Sequence, residues 1–392
     1  MVQQTMSNKN FTAINLMEKM FTIIWDMGRR CNYDCTYCPA HRHDNFSKHA
    51  TLDELKNNVD FLYEYTDLYM QYRNTKIASF GFTGGEPTVN PNFIPFAQYL
   101  KSAYEEKYAD RWEAGFALTT NGAMSEKMGQ AVMENFGHAT VSYHAESDDK
   151  LKQQVKDRIL QFAYQGSIYQ FTVSVNVMFH AEYFDECVEL CDFLKAHEVD
   201  FVPRVIGEEP DSKPTFAHKY NEEQLAWMKN YWKQKDDATY ANSAAGDVVK
   251  NAKKLGNSIG RPCCGSRDML LHNGSESRKS NFVDFREFKG WNCSVNWFFL
   301  HLEQQTDSIY HHQTCQARFD GKRGRIGKIS EGKKLIEELR QQIESGTLPT
   351  IVCPKQTCGC GLCAPKSMKQ DRFFDVLGNH IDLGVMNDYN GQ

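Results

Sequence analysis

From residue 21 to about residue 207, short apolar β-rich runs alternate with amphipathic helical stretches. Phe21-Thr22-Ile23-Ile24-Trp25 reads as a first strand. Thr51-Leu52-Asp53-Glu54 has the form of a capping box, and Leu52, Leu55, Val59 and Leu62 then fall on one helical face. Ile77 to Phe82 predicts a second strand, and Asn90-Pro91 the start of the next helix, an N-cap residue before a first-turn proline. Phe116 to Thr119, Ala139 to Tyr143, Phe171 to Met178 and Phe201 to Ile206 predict further strands, with helical segments between them. Repeated β–α units imply a parallel sheet, because each helix supplies the crossover that parallel strands require. Such a sheet, closed or partly closed, carries its active site at the C-terminal strand ends.

The remainder changes character. A helix capped by Asn221, with Gln224 three residues on, places Leu225, Met228 and Trp232 on its apolar side. Leu335, Leu339 and Ile343 mark a later helix. The expected division is a barrel over 1–210, a helical linker over 211–260 and a further domain over 261–392.

A length of 392 residues fits two domains, and 41% hydrophobic with 24% charged residues is ordinary for a globular chain. A formal charge of −5 gives no basic surface for nucleic acid. Lys9, Glu18, Lys19 and Asp26 interrupt the first 27 residues, so no signal-peptide core forms there. No run of about twenty apolar residues exists to span a membrane. The 13 cysteines are the outlier. In a chain without a secretory signal they are expected as metal ligands in a reducing cytoplasm rather than as disulfides.

Cys31, Cys35 and Cys38 follow the first strand as C-x3-C-x2-C. One reading is a zinc knuckle completed by His41 or His43. The other is a 4Fe–4S cubane, in which three cysteines leave one iron open to a small ligand. Gly84-Gly85-Glu86-Pro87 follows the second strand and Asn121-Gly122 the third. Ser142, His144 and Glu146 alternate at the end of the fourth, and all these motifs belong on one rim.

The stretch from Arg29-Arg30-Cys31 to Cys38, with Tyr37 before the last cysteine, resembles the cluster loop of the radical S-adenosylmethionine (SAM) superfamily. The resemblance implies an α/β fold, a partial (β/α)6 TIM-type barrel. It implies that the amino and carboxylate groups of SAM chelate the open iron. Gly84, Gly85 and Glu86 would form the methionine-binding turn, and Asn121 would reach the ribose. Ser142 and His144 would hold SAM or meet substrate, and Asn176 and Arg204 would face substrate or the SAM carboxylate. An external reductant such as flavodoxin or ferredoxin would supply one electron. The resulting 5′-deoxyadenosyl radical would take a hydrogen atom from a substrate.

Downstream cysteines resemble the auxiliary-cluster domains called twitch or SPASM, which makes the C-terminal part an α+β cluster domain. The expected tetrad for one auxiliary 4Fe–4S cluster is Cys293, Cys315, Cys360 and Cys363. Cys353 and Cys358 would replace members of it, or join Cys263 or Cys264 in a second cluster; zinc is the other reading. Cys187 and Cys191, four apart on a helix, are expected as core residues, and His311 and His312 as solvated strand-end residues. Oxidation or cross-linking is the expected reaction. The alternatives are an epimerase or peptide maturase, or an iron–sulfur electron carrier or sensor without turnover. Peptide-modifying relatives often carry a leader-recognition domain, and about twenty residues before the first strand leave no room for one. A small molecule is therefore at least as well supported as a peptide substrate.

Overall fold

The computed structural model describes residues 13–16, 20–39, 41–73, 76–206, 219–241, 269–273, 276–280, 289–311, 325–345, 351–353, 366–367, 372–374 and 380–382. A short strand β1 (Ala13–Leu16), absent from the sequence reading, comes first. Then follow β2 (Met20–Asp26), α1 (Leu52–Arg73), β3 (Ile77–Thr83), α2 (Phe93–Lys107), β4 (Glu113–Thr120) and α3 (Glu126–Asn135). The series continues with β5 (His138–His144), α4 (Asp149–Gln165), β6 (Thr172–Phe179), α5 (Phe184–Ala196) and β7 (Asp200–Val205). Strands β2 to β7 pair in that order and each is parallel to the next. This is the parallel sheet expected from the β–α repeats, in the partial (β/α)6 barrel that the resemblance implies.

Past α6 (Glu222–Ala241) come β8 (Met269–Asn273), β9 (Glu276–Ser280), β10 (Asn292–Cys293), β11 (Phe299–Glu303), β12 (Ser308–Tyr310), β13 (Arg325–Gly327), α7 (Gly332–Ser345) and β14 (Ile351–Val352). Strand β11 pairs parallel with β2 on the free edge of the barrel sheet, and β12 and β13 extend it antiparallel. The short run at β11 is buried on both faces and shows no alternation, so nothing local announces this pairing. Strand β1 instead pairs antiparallel with β8, in a separate sheet that includes β10 and β14.

Local signals explain most boundaries. Thr51 N and Oγ1 donate to Glu54 Oε2 at 2.7 and 2.9 Å, and Glu54 N donates back to Thr51 Oγ1 at 3.3 Å, closing the expected capping box. The next helix starts later than Asn90-Pro91 predicts. Asn90 Oδ1 accepts from Asn92 N at 2.9 Å and its amide donates to Ala50 O at 3.2 Å, so Asn90 shapes a turn and α2 begins at Phe93. Asn221 and Gln224 cap α6 reciprocally at 2.9 and 3.1 Å. Its buried side differs from the expected one: Met228 is buried and Trp227 stacks on Phe179 at 5.1 Å, whereas Leu225 is 50% exposed. The side chain of Trp232 lies outside the described residues.

Each barrel strand alternates a helix-facing and a lumen-facing side. On β2, Phe21, Ile23 and Trp25 are buried, with Trp25 wedged against Phe96 and Phe82 at 5.6 and 5.9 Å. On β5 and β6 the other face is mostly polar and only partly buried: Thr140, Ser142 and His144 beside Ser174 and Asn176, with Met178 its apolar member. His138 closes the lower end of this face, with Nδ1 2.8 Å from Thr172 Oγ1 and Nε2 3.0 Å from Ser174 Oγ.

Burial pushes the His138 imidazole down to about 4 from its ordinary 6.5. A depressed folded-state value means that the unfolded chain binds the extra proton. The contribution of this group is complete above pH 6.5 and is lost as pH falls through about 4. The limiting slope is about 1.4 kcal/mol per pH unit. His138→Gln is therefore expected to flatten the acid limb of stability measured by urea titration between about pH 4 and 7. An acid limb as steep as that of the wild type would contradict this.

Candidate functional site

The cysteine loop leaves β2 at Asp26 and is closed at its base by backbone. Cys31 N donates to Asp44 O at 2.8 Å and Asp44 N donates to Arg29 O at 2.9 Å. Its tip is held from the far side of the barrel mouth: Thr36 N and Oγ1 both donate to the Glu146 carboxylate at 2.8 Å. Glu146 therefore does not continue the alternation of Ser142 and His144 as its spacing suggests. Strand β5 ends at His144, and Glu146 lies in the turn that follows.

The Gly84-Gly85 turn lies against the backbone of this loop. Gly85 N donates to Gly28 O at 2.7 Å and Glu86 N to Arg30 O at 2.9 Å. Gly84 has φ +147°, and a Cβ there would lie 2.6 Å from Gly28 O. A Cβ at Gly85 would lie 2.2 Å from Arg29 O. These contacts are far below van der Waals separation, so the pairing of turn and cysteine loop by itself demands glycine here.

Glu86 is almost completely buried at 2% exposure. Oε1 accepts from Thr88 N at 3.1 Å, Thr88 Oγ1 at 2.6 Å and Thr120 Oγ1 at 2.8 Å, and Oε2 accepts from Asn121 N at 2.6 Å. Burial pushes its carboxyl above the ordinary value, and these four bonds pull it back. This geometry is that of a support behind the turn: Glu86 ties the end of β3 to the end of β4. Asn121 is tied in turn to the cysteine loop, its amide donating to Asn32 Oδ1 at 2.7 Å and its Oδ1 accepting from Ala123 N at 2.9 Å.

A cavity of about 330 Å³ opens at the C-terminal ends of the strands. Cys31, Cys35 and Cys38 line it together with Gly84, Gly85, Asn121, Ser142 and His144, so the sequence motifs meet in one space. Of the rim candidates, Glu86, Glu146, Asn176 and Arg204 are not among the residues that line it. Tyr33, Tyr37, Pro39, Arg42 and His43 of the cysteine loop and Thr83, Thr119, Thr120, Met178, Val205 and Ile206 of the strand ends complete the lining. The volume is in the range of small-molecule sites.

Burial holds the Cys31 and Cys35 thiols above their ordinary values, and the Glu146 carboxylate adds to this at Cys35. Thiolate ligands here are thus favoured when a cation takes up their charge, which suits a three-thiol metal site. Burial also lowers His144 to about 4 and raises Tyr37 well above 10. Both rings are then neutral, and the Tyr37 hydroxyl and His144 Nδ1 share a hydrogen bond.

Cys293 stands on β10, and Cys353 directly follows the neighbouring strand β14. Cys293 pairs with Ile351 in the β10–β14 ladder, and Cys353 N donates to Trp291 O at 2.8 Å. Cys315, Cys358, Cys360, Cys363, Cys263, Cys264 and His312 lie outside the described residues. His311 is buried at 1% exposure, not solvated, because it follows a strand flanked on both sides by β11 and β13. Cys187 and Cys191 are fully buried on α5, and burial pushes both thiols up to about 12. They pack as core residues.

In comparison with known proteins, the Radical SAM superfamily family model matches residues 25–194. No curated protein matches the chain. Among solved structures, SuiB of Streptococcus suis is 14% identical with a TM-score of 0.46, over 81% of this chain and 65% of SuiB. Native anSMEcpe with bound AdoMet and Cp18Cys peptide is 16% identical with a TM-score of 0.47, over 82% of this chain and 80% of that one. BtrN in complex with AdoMet and 2-DOIA is 22% identical with a TM-score of 0.29, over 40% of this chain and 57% of that one. Among the described residues, no helix is long and apolar enough to cross a membrane.

Proposed function

Residues 25–194 belong to the Radical SAM superfamily, and from that premise we propose that the protein is an enzyme that cleaves SAM reductively and oxidises or cross-links a substrate. The observation carrying this reading is the cavity at the strand ends, where three cysteines face a double-glycine turn and a polar wall. Cys31, Cys35 and Cys38 would hold a 4Fe–4S cluster with one open iron. When bound, the cluster and SAM supply one-electron chemistry: SAM yields methionine and a 5′-deoxyadenosyl radical, which takes a hydrogen atom from substrate. Gly84 and Gly85 leave room beside the cysteines for the methionine part of SAM. Asn121, Ser142 and His144 offer hydrogen bonds to the rest of the cofactor. Tyr37 orients the His144 ring through Nδ1, and Glu146 holds the cysteine loop over the cavity so that water is excluded.

We also read residues 261–392 as contributing one auxiliary 4Fe–4S cluster, with Cys293 as one ligand. The closeness of Cys353, just past the neighbouring strand, to Cys293 supports Cys353 as another, in place of a member of the expected tetrad. A flavodoxin- or ferredoxin-type reductant fits the one-electron requirement.

Anaerobic reconstitution with iron and sulfide, followed by dithionite and SAM, tests the reading. The wild type is expected to carry about eight irons per chain and to form 5′-deoxyadenosine. Replacing Cys31, Cys35 and Cys38 together by alanine is expected to remove about four irons and all of the product. A reconstituted wild type that forms no 5′-deoxyadenosine would exclude the enzyme.

A further inference from the structure

The lumen faces of β5, β6 and β7 are in register. His144 stands opposite Met178 and Met178 opposite Arg204, making one row across three strands; Ser142, Asn176 and Val202 form the row beneath. His144, Met178 and Ser142 line the cavity. At about 4.8 Å per strand, Arg204 stands about 10 Å from His144, two strands along the sheet.

Arg204 is partly buried, and its Nε donates to Asn176 Oδ1 at 2.9 Å. Among the described residues no carboxylate lies within ion-pair distance of its guanidinium, and none makes a hydrogen bond with its Nη groups. A guanidinium stays charged even where burial disfavours the charge. Asn176 steers it through Nε, and among the described residues nothing takes the two-pronged Nη edge, the edge that matches a carboxylate or phosphate.

We propose that Arg204 binds an acidic group of the substrate, a carboxylate or a phosphate, with Asn176 as its positioning residue. The proposal rests on the function above and adds the chemical class of the substrate. The carboxylate of SAM is a second possible source of the same chemistry, but it belongs beside the cysteines and the Gly84-Gly85 turn. That turn follows β3, four strands from β7 in the sheet order, or about 19 Å along the sheet.

Inorganic phosphate, titrated calorimetrically into reconstituted protein already loaded with SAM, separates the two sources. Saturable phosphate binding to the wild type is expected. Arg204→Gln should weaken it about tenfold or more, by loss of a charged bidentate contact, while weakening SAM itself less than about threefold. Arg204→Lys should keep part of the affinity and Asn176→Ala should lower it, and circular dichroism checks that each variant folds. No saturable phosphate binding to the wild type, or equal binding to Arg204→Gln, overturns the proposal. So does competition between phosphate and SAM with a parallel loss of both in Arg204→Gln, which assigns the guanidinium to the cofactor. Phosphate binding that depends on Arg204 in a protein that never forms 5′-deoxyadenosine would leave this site standing and remove the proposed function instead.

Discussion

Gly85→Ala is expected to abolish 5′-deoxyadenosine formation and to lower iron content by about four per chain, the content of one cubane. The added methyl group would lie 2.2 Å from Arg29 O and 2.5 Å from Arg30 O, both backbone atoms immediately before Cys31. No rotamer relieves that overlap, because Cβ has none. The two segments must separate, and the bonds from Gly85 N to Gly28 O and from Glu86 N to Arg30 O break. Cys31 then moves relative to Cys35 and Cys38, whose loop tip remains held by Glu146. Iron and labile sulfide assays on the reconstituted variant, beside product analysis after dithionite and SAM, check this. A variant with full iron and wild-type product would show that the turn and the loop need not touch.

Glu86→Ala carries the largest expected cost in stability, on the order of 4 kcal/mol. It leaves four buried donors, from Thr88, Thr120 and Asn121, without an acceptor in a place water does not reach. Glu86→Gln keeps one carbonyl oxygen but turns an amide toward a donor, so an intermediate loss is expected. Urea denaturation followed by circular dichroism measures both. A loss below about 1 kcal/mol for Glu86→Ala would mean that the network is satisfied in some other way. Because Asn121 N donates to Glu86 and the Asn121 side chain to Asn32, the same substitution is expected to loosen the cysteine loop as well.

The residues that meet in the cavity illustrate what short-range information carries. Cysteines spaced by three and two residues, a double glycine after a strand and an asparagine after the next strand are each complete within a few positions. A rim location follows for all of them from the parallel order of the strands. The capping boxes at Thr51 and Asn221 are equally local, and both formed. Asn90-Pro91 was misleading for a physical reason: an asparagine followed by proline serves a turn as readily as a helix start, and the contact with Ala50 O decided which.

By itself, then, the sequence determined the periodicity of each element, the β–α order that makes the sheet parallel, and the chemical types gathered at its mouth. These depend on patterns a few residues long. Only the tertiary structure decided that Glu86 faces Thr120 and Asn121 rather than the cavity, and that the glycines clear a path for backbone. It also decided that β11 joins β2 at the sheet edge, and that Arg204 shares a row with His144. Each of these is a meeting of segments far apart in the chain, settled by strand register and close packing, and no local pattern contains that information.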